Sequence, residues 1–118
     1  MGSAKDGDFA IVIPVLDEAE SLPLLLAELK ALHLLDRTVF VDNGSADGSR
    51  EIIAAAGGEA LREARRGYGY PCLTGAREAT ARGASTVVFM EADGTDDPAQ
   101  VRHLAGPVLA GVADLVIG

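Results

Sequence analysis

At 118 residues and 12.1 kDa the chain has the core of one domain, and its 48 % hydrophobic content includes no apolar run near the ~20 residues of a membrane span. A net charge of −8 excludes a nucleic-acid backbone as partner, because phosphate neutralisation needs clustered Lys and Arg. The single cysteine, Cys72, excludes an internal disulfide and a cysteine metal cluster, and fits a reducing, cytoplasmic compartment.

The opening MGSAKDGD is polar, lacks the basic start and apolar stretch of a signal peptide, and is expected to be a disordered or cloning-derived tail over residues 1–8. FAIVIPV, residues 9–15, is a continuous β-branched run typical of a strand buried on both faces. Ser21 can then cap a helix with Pro23 in its first turn, running to about Leu32 on the stripe Leu22, Leu25, Leu26, Leu29 and Leu32. TVFV, 38–41, is a second buried strand. It is followed by DNGSADGS, where Asn43-Gly44 signals a turn and Asp47 or Ser45 can cap the helix REIIAAA, closed by Gly57-Gly58.

A weak third strand is expected near 59–62. GYGYP then breaks the pattern before a helix over 71–82, and STVVFM forms a well-marked strand. Pro98 opens a last helix with Val101, Leu104 and Val108 on one side, bent or ended by Pro107, and ADLVIG is a final strand. Strands alternating with helices imply a mostly parallel, Rossmann-like α/β sheet with right-handed crossovers and ligands at the strand carboxyl ends.

Three of the strand-end loops, PVLDEAE, DNGSADGS and EADGTDD, are acidic, while REARRGYG gathers Arg62, Arg65 and Arg66 beside glycines. Carboxylates converging on one sheet edge repel each other unless a cation compensates, so Mg²⁺ or Mn²⁺ is expected. Such ions bridge to phosphate oxygens, which the arginines would meet from the other side. Asp47 reads as a turn former or cap, and Asp96 and Asp97 as carboxylates favoured by a helix dipole. Glu91 and Asp93 leave a buried strand before the chain has turned, and read as ligand contacts. Tyr68 reads equally as a ring against substrate or as surface packing. Cys72 reads as structural although neighbouring arginines could lower its pKa, and His33 and His103 as surface residues on helices.

Taken together, IVIPVLDEAESLPLLLAEL, VDNGSADGS, RRGYGYPCLTG and VVFMEADGTDDP resemble family 2 glycosyltransferases of the GT-A fold, in the branch of polyprenyl-phosphate sugar transferases such as dolichol-phosphate mannose synthase. The resemblance covers nearly all of 9–118 in order and spacing. It implies inverting transfer of a sugar from a nucleoside diphosphate sugar, with a polyprenyl phosphate among the acceptors and peripheral contact at the cytoplasmic membrane face. It further implies nucleotide contacts from Pro14, Val15, Asp17 and Glu18, base contact from Asp42, and a diphosphate loop of Arg66, Gly67 and Gly69. Glu91-Ala92-Asp93 stands where the family has Asp-x-Asp, implying metal and sugar-nucleotide contacts from Glu91 and Asp93.

Two departures accompany this. Glu91 is one methylene longer than the family's aspartate. The family's domain also continues past the strand matching ADLVIG, so residues 9–118 are expected to be a nucleotide-sugar-binding half, truncated relative to the family and without a general base. Little or no transfer, self-association, and a non-catalytic donor-binding or assembly module as the alternative, belong to that expectation. A dinucleotide-binding oxidoreductase is disfavoured because no G-x-G-x-x-G follows the first strand. A phosphoacceptor receiver domain is disfavoured because Lys5 and Lys30 lie away from the strand ends.

Overall fold

In the computed structural model, residues 9–100 and 115–117 are described. The strands are β1 (Phe9–Val15), β2 (Thr38–Asp42), β3 (Ala60–Arg62), β4 (Thr86–Phe89) and β5 (Leu115–Ile117); the helices are α1 (Leu22–Ala31), α2 (Ser49–Ala55) and α3 (Gly69–Ala81). They build one sheet in the order β3-β2-β1-β4-β5 with every pairing parallel. The strand order therefore reverses between β1 and β4, and the carboxyl ends of those strands define the crevice where such sheets take ligands.

The unbroken apolar character of β1 follows from its central place. Ile11, Ile13 and Val15 meet Leu22, Leu25, Leu26 and Leu29 of α1 and Ile53 of α2 on one face, while Ala10 and Val12 meet Ala79 of α3 on the other. Each fully buried leucine of α1 contributes roughly 1.5–3 kcal/mol of transfer free energy. On the second face α3 sits very close to the sheet at Gly75. A Cβ there would lie 2.3 Å from Val12 Cγ1 and 3.1 Å from Val41 Cγ2, so only glycine permits this approach.

All three helices end with the same reversal. Leu34 N–H donates to Leu29 O at 2.8 Å, Gly58 N–H to Ile53 O at 3.0 Å and Ala84 N–H to Ala79 O at 3.0 Å. The left-handed residues in these turns are His33, Gly57 and Gly83. His33 therefore lies in the turn after α1 and not on a helix, a position usually taken by glycine.

Three helix starts differ from expectation. Ser21 precedes α1 but makes no side-chain capping bond. The residue before α2 is Gly48, in the left-handed region, and neither Ser45 nor Asp47 takes the cap position. Helix α3 starts at Gly69, two residues ahead of Pro71, because a proline in the first helical turn forfeits no intrahelical bond. After β4 the described chain forms a short 3₁₀ turn, Pro98–Gln100. The helix expected through Val101, His103, Leu104, Pro107 and Val108 lies outside the described residues. Among the described residues no helix is long and apolar enough to cross a membrane.

Candidate nucleotide site

Two clefts open at the carboxyl edge of the sheet. The first, about 260 Å³, is lined by Pro14, Glu18, Arg66, Gly67, Tyr68 and Glu91, with Val15, Leu16, Asn43 and Pro71 completing the wall. The second, about 420 Å³, lies between the start of α1 and the loop after β4, with Asp93, Asp96 and Asp97 facing Glu20 and Glu28. Of the residues proposed from sequence, Pro14, Val15, Glu18, Arg66, Gly67 and Glu91 meet in one cleft, and Asp93 lies in the next. Asp17, Asp42 and Gly69 line neither.

Much of the acidic loop chemistry goes into fastening loops to each other. Asp17, at a left-handed φ of 54°, accepts Ala46 N–H at 2.8 Å, and its own N–H donates to Ser45 Oγ at 2.9 Å. Glu18 N–H donates to Ser49 Oγ at 3.0 Å, and that hydroxyl donates to Asp47 Oδ1 at 2.6 Å. Asp17 is thus a clamp between the loops after β1 and β2, with its carboxylate engaged by backbone. Asp96, read from sequence as a helix-dipole residue, instead accepts Glu91 N–H at 2.8 Å, while Asp97 accepts Ala99 N–H at 3.0 Å.

Asp42, at the end of β2, is 2 % exposed. Its Oδ2 accepts Gly44 N–H at 3.1 Å and Ser45 N–H at 3.0 Å, whereas the buried Oδ1 has no hydrogen-bond partner. An unpaired buried carboxylate oxygen costs free energy unless a ligand N–H meets it.

The arginine loop divides its labour. Arg65 forms a fork with the buried Glu63, Nε to Oε2 at 2.9 Å and Nη2 to Oε1 at 3.0 Å, and lies over the Tyr70 ring at 4.5 Å. Thr74 Oγ1 also donates to Glu63, and the hydrogen bonds from Arg65 and Thr74 hold the Glu63 carboxyl down at about 2. Asn43 Nδ2 ties the same turn to β2, donating to Glu63 O and Arg65 O at 2.8 Å. Of the three gathered arginines, Arg65 is committed to structure and Arg66 lines the cleft. Gly67 next to it has φ +123°, which a side chain would strain. Sequence reading missed Glu63 and Asn43; an acid inside an arginine run, REARR, was the available signal.

The remaining acids face each other. Burial first, then repulsion from Asp93 and Glu91, pushes the Glu18 carboxyl above its ordinary value. Asp93 is held below the usual range by the Thr95 hydroxyl and N–H, at 2.7 and 3.1 Å from its Oδ1. Glu91 Oε2 accepts the Tyr68 hydroxyl at 3.1 Å, so Tyr68 does more than pack at the surface. Burial raises the Cys72 thiol despite the hydrogen bond with Tyr68, so Cys72 is not poised as a thiolate. Among the described residues no three acidic, histidine or cysteine side chains form a complete ligand set for a metal. Glu18, Glu91 and Asp93, near enough to repel one another, are oxygen donors of the kind Mg²⁺ and Mn²⁺ take, since these ions bind through one or two carboxylates and complete their shell with water and phosphate oxygens.

A parallel sheet with this strand order and a crevice at its reversal, where Arg66 stands with carboxylates, defines a Rossmann-like α/β domain with its ligand crevice at the strand carboxyl ends. The model of glycosyl transferase family 2 matches residues 10–118, and the chain belongs to that family.

An uncharacterised glycosyltransferase of Mycobacterium tuberculosis is 36 % identical over 108 residues, covering 92 % of this chain and 46 % of the relative. The polyprenol monophosphomannose synthase of Mycolicibacterium smegmatis is 33 % identical over 115 residues, covering 92 % and 43 %. Glucosyl-3-phosphoglycerate synthase from M. tuberculosis, solved with Mn²⁺, UDP and glucosyl-3-phosphoglycerate, superposes with a TM-score of 0.74 at 26 % identity, covering 92 % of this chain and 42 % of that one. The chain thus spans less than half the length of these relatives.

Proposed function

We propose that this chain carries the donor site of an inverting glycosyltransferase that moves a sugar from a nucleoside diphosphate sugar to a polyprenyl phosphate. The observation that carries the reading is the single cleft in which Arg66 and Gly67 face Glu18 and Glu91 at the strand reversal. Asp42 Oδ1 would accept an N–H of the base, and Arg66 would meet the diphosphate. Glu91 and Asp93 would hold Mg²⁺ or Mn²⁺ together with phosphate oxygens. A cation held there supplies charge neutralisation as the bond from the anomeric carbon to the departing nucleoside diphosphate breaks. An acceptor that is already an ionised phosphate needs no strong base to attack that carbon.

The acceptor class is supported by relatives named for polyprenyl-phosphate transfer, the M. smegmatis synthase and an undecaprenyl-phosphate mannosyltransferase of Micrococcus luteus. Such an acceptor places the reaction at a membrane face. Calorimetric titration with UDP-, GDP- and dTDP-sugars, with and without Mn²⁺, tests the reading. Binding of one of them that strengthens with Mn²⁺ is expected; no binding of any would reject it.

A further inference from the structure

Tyr68 is a half-exposed aromatic residue at the mouth of the cleft whose hydroxyl ends on an acid from the opposite wall. It precedes α3, while Glu91 follows β4, and 23 residues of sequence separate them. The Tyr68 hydroxyl is bonded to Glu91 Oε2 on one side and approached by the Cys72 thiol on the other. The backbone of Glu91 is fixed independently, its N–H donating to Asp96. One end of the residue is therefore pinned by the loop, and the other, among the described residues, by the Tyr68 hydroxyl.

A glutamate at this position has one more rotatable bond than an aspartate, and an exposed carboxylate on such a stem samples several rotamers. The Tyr68 bond selects among them. We infer that Tyr68 is a positioning residue for the donor site: its hydroxyl holds the long Glu91 side chain across the cleft in the pose that receives a metal-bound nucleoside diphosphate. This rests on the donor-site reading above and adds to it a residue whose work depends on Glu91 being a glutamate.

That dependence gives the test. Glu91→Asp withdraws the carboxylate by about one carbon–carbon bond, ~1.5 Å, beyond hydrogen-bond reach of Tyr68. Wild type, Tyr68→Phe, Glu91→Asp and the double variant are titrated calorimetrically with UDP, GDP and dTDP, with and without Mn²⁺, and their melting temperatures are recorded. Tyr68→Phe is expected to weaken the Mn²⁺-dependent binding about 3- to 10-fold in wild type, to leave metal-free binding unchanged, and to have no effect in the Glu91→Asp background. An unchanged affinity in Tyr68→Phe, or an equal loss in both backgrounds, overturns the positioning role while leaving the donor site standing. Failure of wild type to bind UDP, GDP or dTDP with Mn²⁺ removes the donor site, and this role with it.

Discussion

The Ala19 N–H donates to Asp47 Oδ2 at 2.9 Å, joining loops 28 residues apart, while Oδ1 of the same carboxylate accepts both the N–H and the hydroxyl of Ser49. Those bonds, that of the Ser49 hydroxyl foremost, hold the Asp47 carboxyl below its ordinary value. Removing it leaves Ala19 N–H without its acceptor and frees the Ser49 hydroxyl that seats Glu18. Asp47→Ala is expected to lower the melting temperature by about 4–8 °C and to loosen the Glu18 wall of the cleft. A thermal scan in which it melts with wild type would show that the clamp is idle.

Glu63 gives a pH signature. Its folded value, about 2, lies below the ordinary 4.5, so its stabilising contribution is fully present above pH 4.5 and is lost as pH falls towards 2. Glu63→Gln should therefore melt below wild type at neutral pH, with the gap closing between about pH 4.5 and 2. Melting curves taken across that range check it; a gap independent of pH would assign the effect to packing.

Gly75 tests the seating of α3. With Val12 Cγ1 at 2.3 Å from the added carbon, Gly75→Ala must push α3 off the sheet or force Val12 from its rotamer, at a cost of roughly 1–3 kcal/mol. Urea unfolding should show a lower midpoint at constant slope. A midpoint at or above that of wild type would contradict the close approach.

How far the sequence leads can be judged from particular residues. β1, β2 and β4 are legible because burial on both faces leaves continuous apolar runs, and α1 because its leucines recur at helical spacing. The parallel sheet and the placing of loops at one edge follow from that alternation. Pro14, Glu18, Arg66 and Glu91 line one cleft because strand-end loops in such a sheet converge at one edge. What composition hides is what each acid faces. Asp17 and Asp47 spend oxygens on backbone N–H groups of another loop and Asp96 on one within its own, and a carboxylate looks the same in sequence whether it meets an amide or a cation. Glu63 pairs locally with Arg65, but the Thr74 hydroxyl that also donates to it arrives only through the packing of α3.

Arg66 separates phosphate recognition from base recognition. Arg66→Ala should weaken binding of a nucleoside diphosphate about tenfold while leaving the nucleoside nearly unaffected, because Arg66 lines the cleft beside Gly67 whereas Asp42 does not line it. Competition titrations of the diphosphate and the nucleoside against both proteins decide it. Equal losses for the two ligands would take Arg66 away from the diphosphate.

The most direct measurement is the Mn²⁺-dependent affinity of Asp93→Asn for a nucleoside diphosphate. Asparagine keeps the Oδ1 acceptor that Thr95 uses, so the loop and the melting temperature should survive, while the charge that a divalent cation needs is gone. A donor site built on Glu91 and Asp93 predicts that binding with Mn²⁺ falls to the metal-free level. If the acids are only loop architecture, relieving their repulsion raises the melting temperature and leaves Mn²⁺-dependent affinity as it was, a result that would contradict the donor-site account.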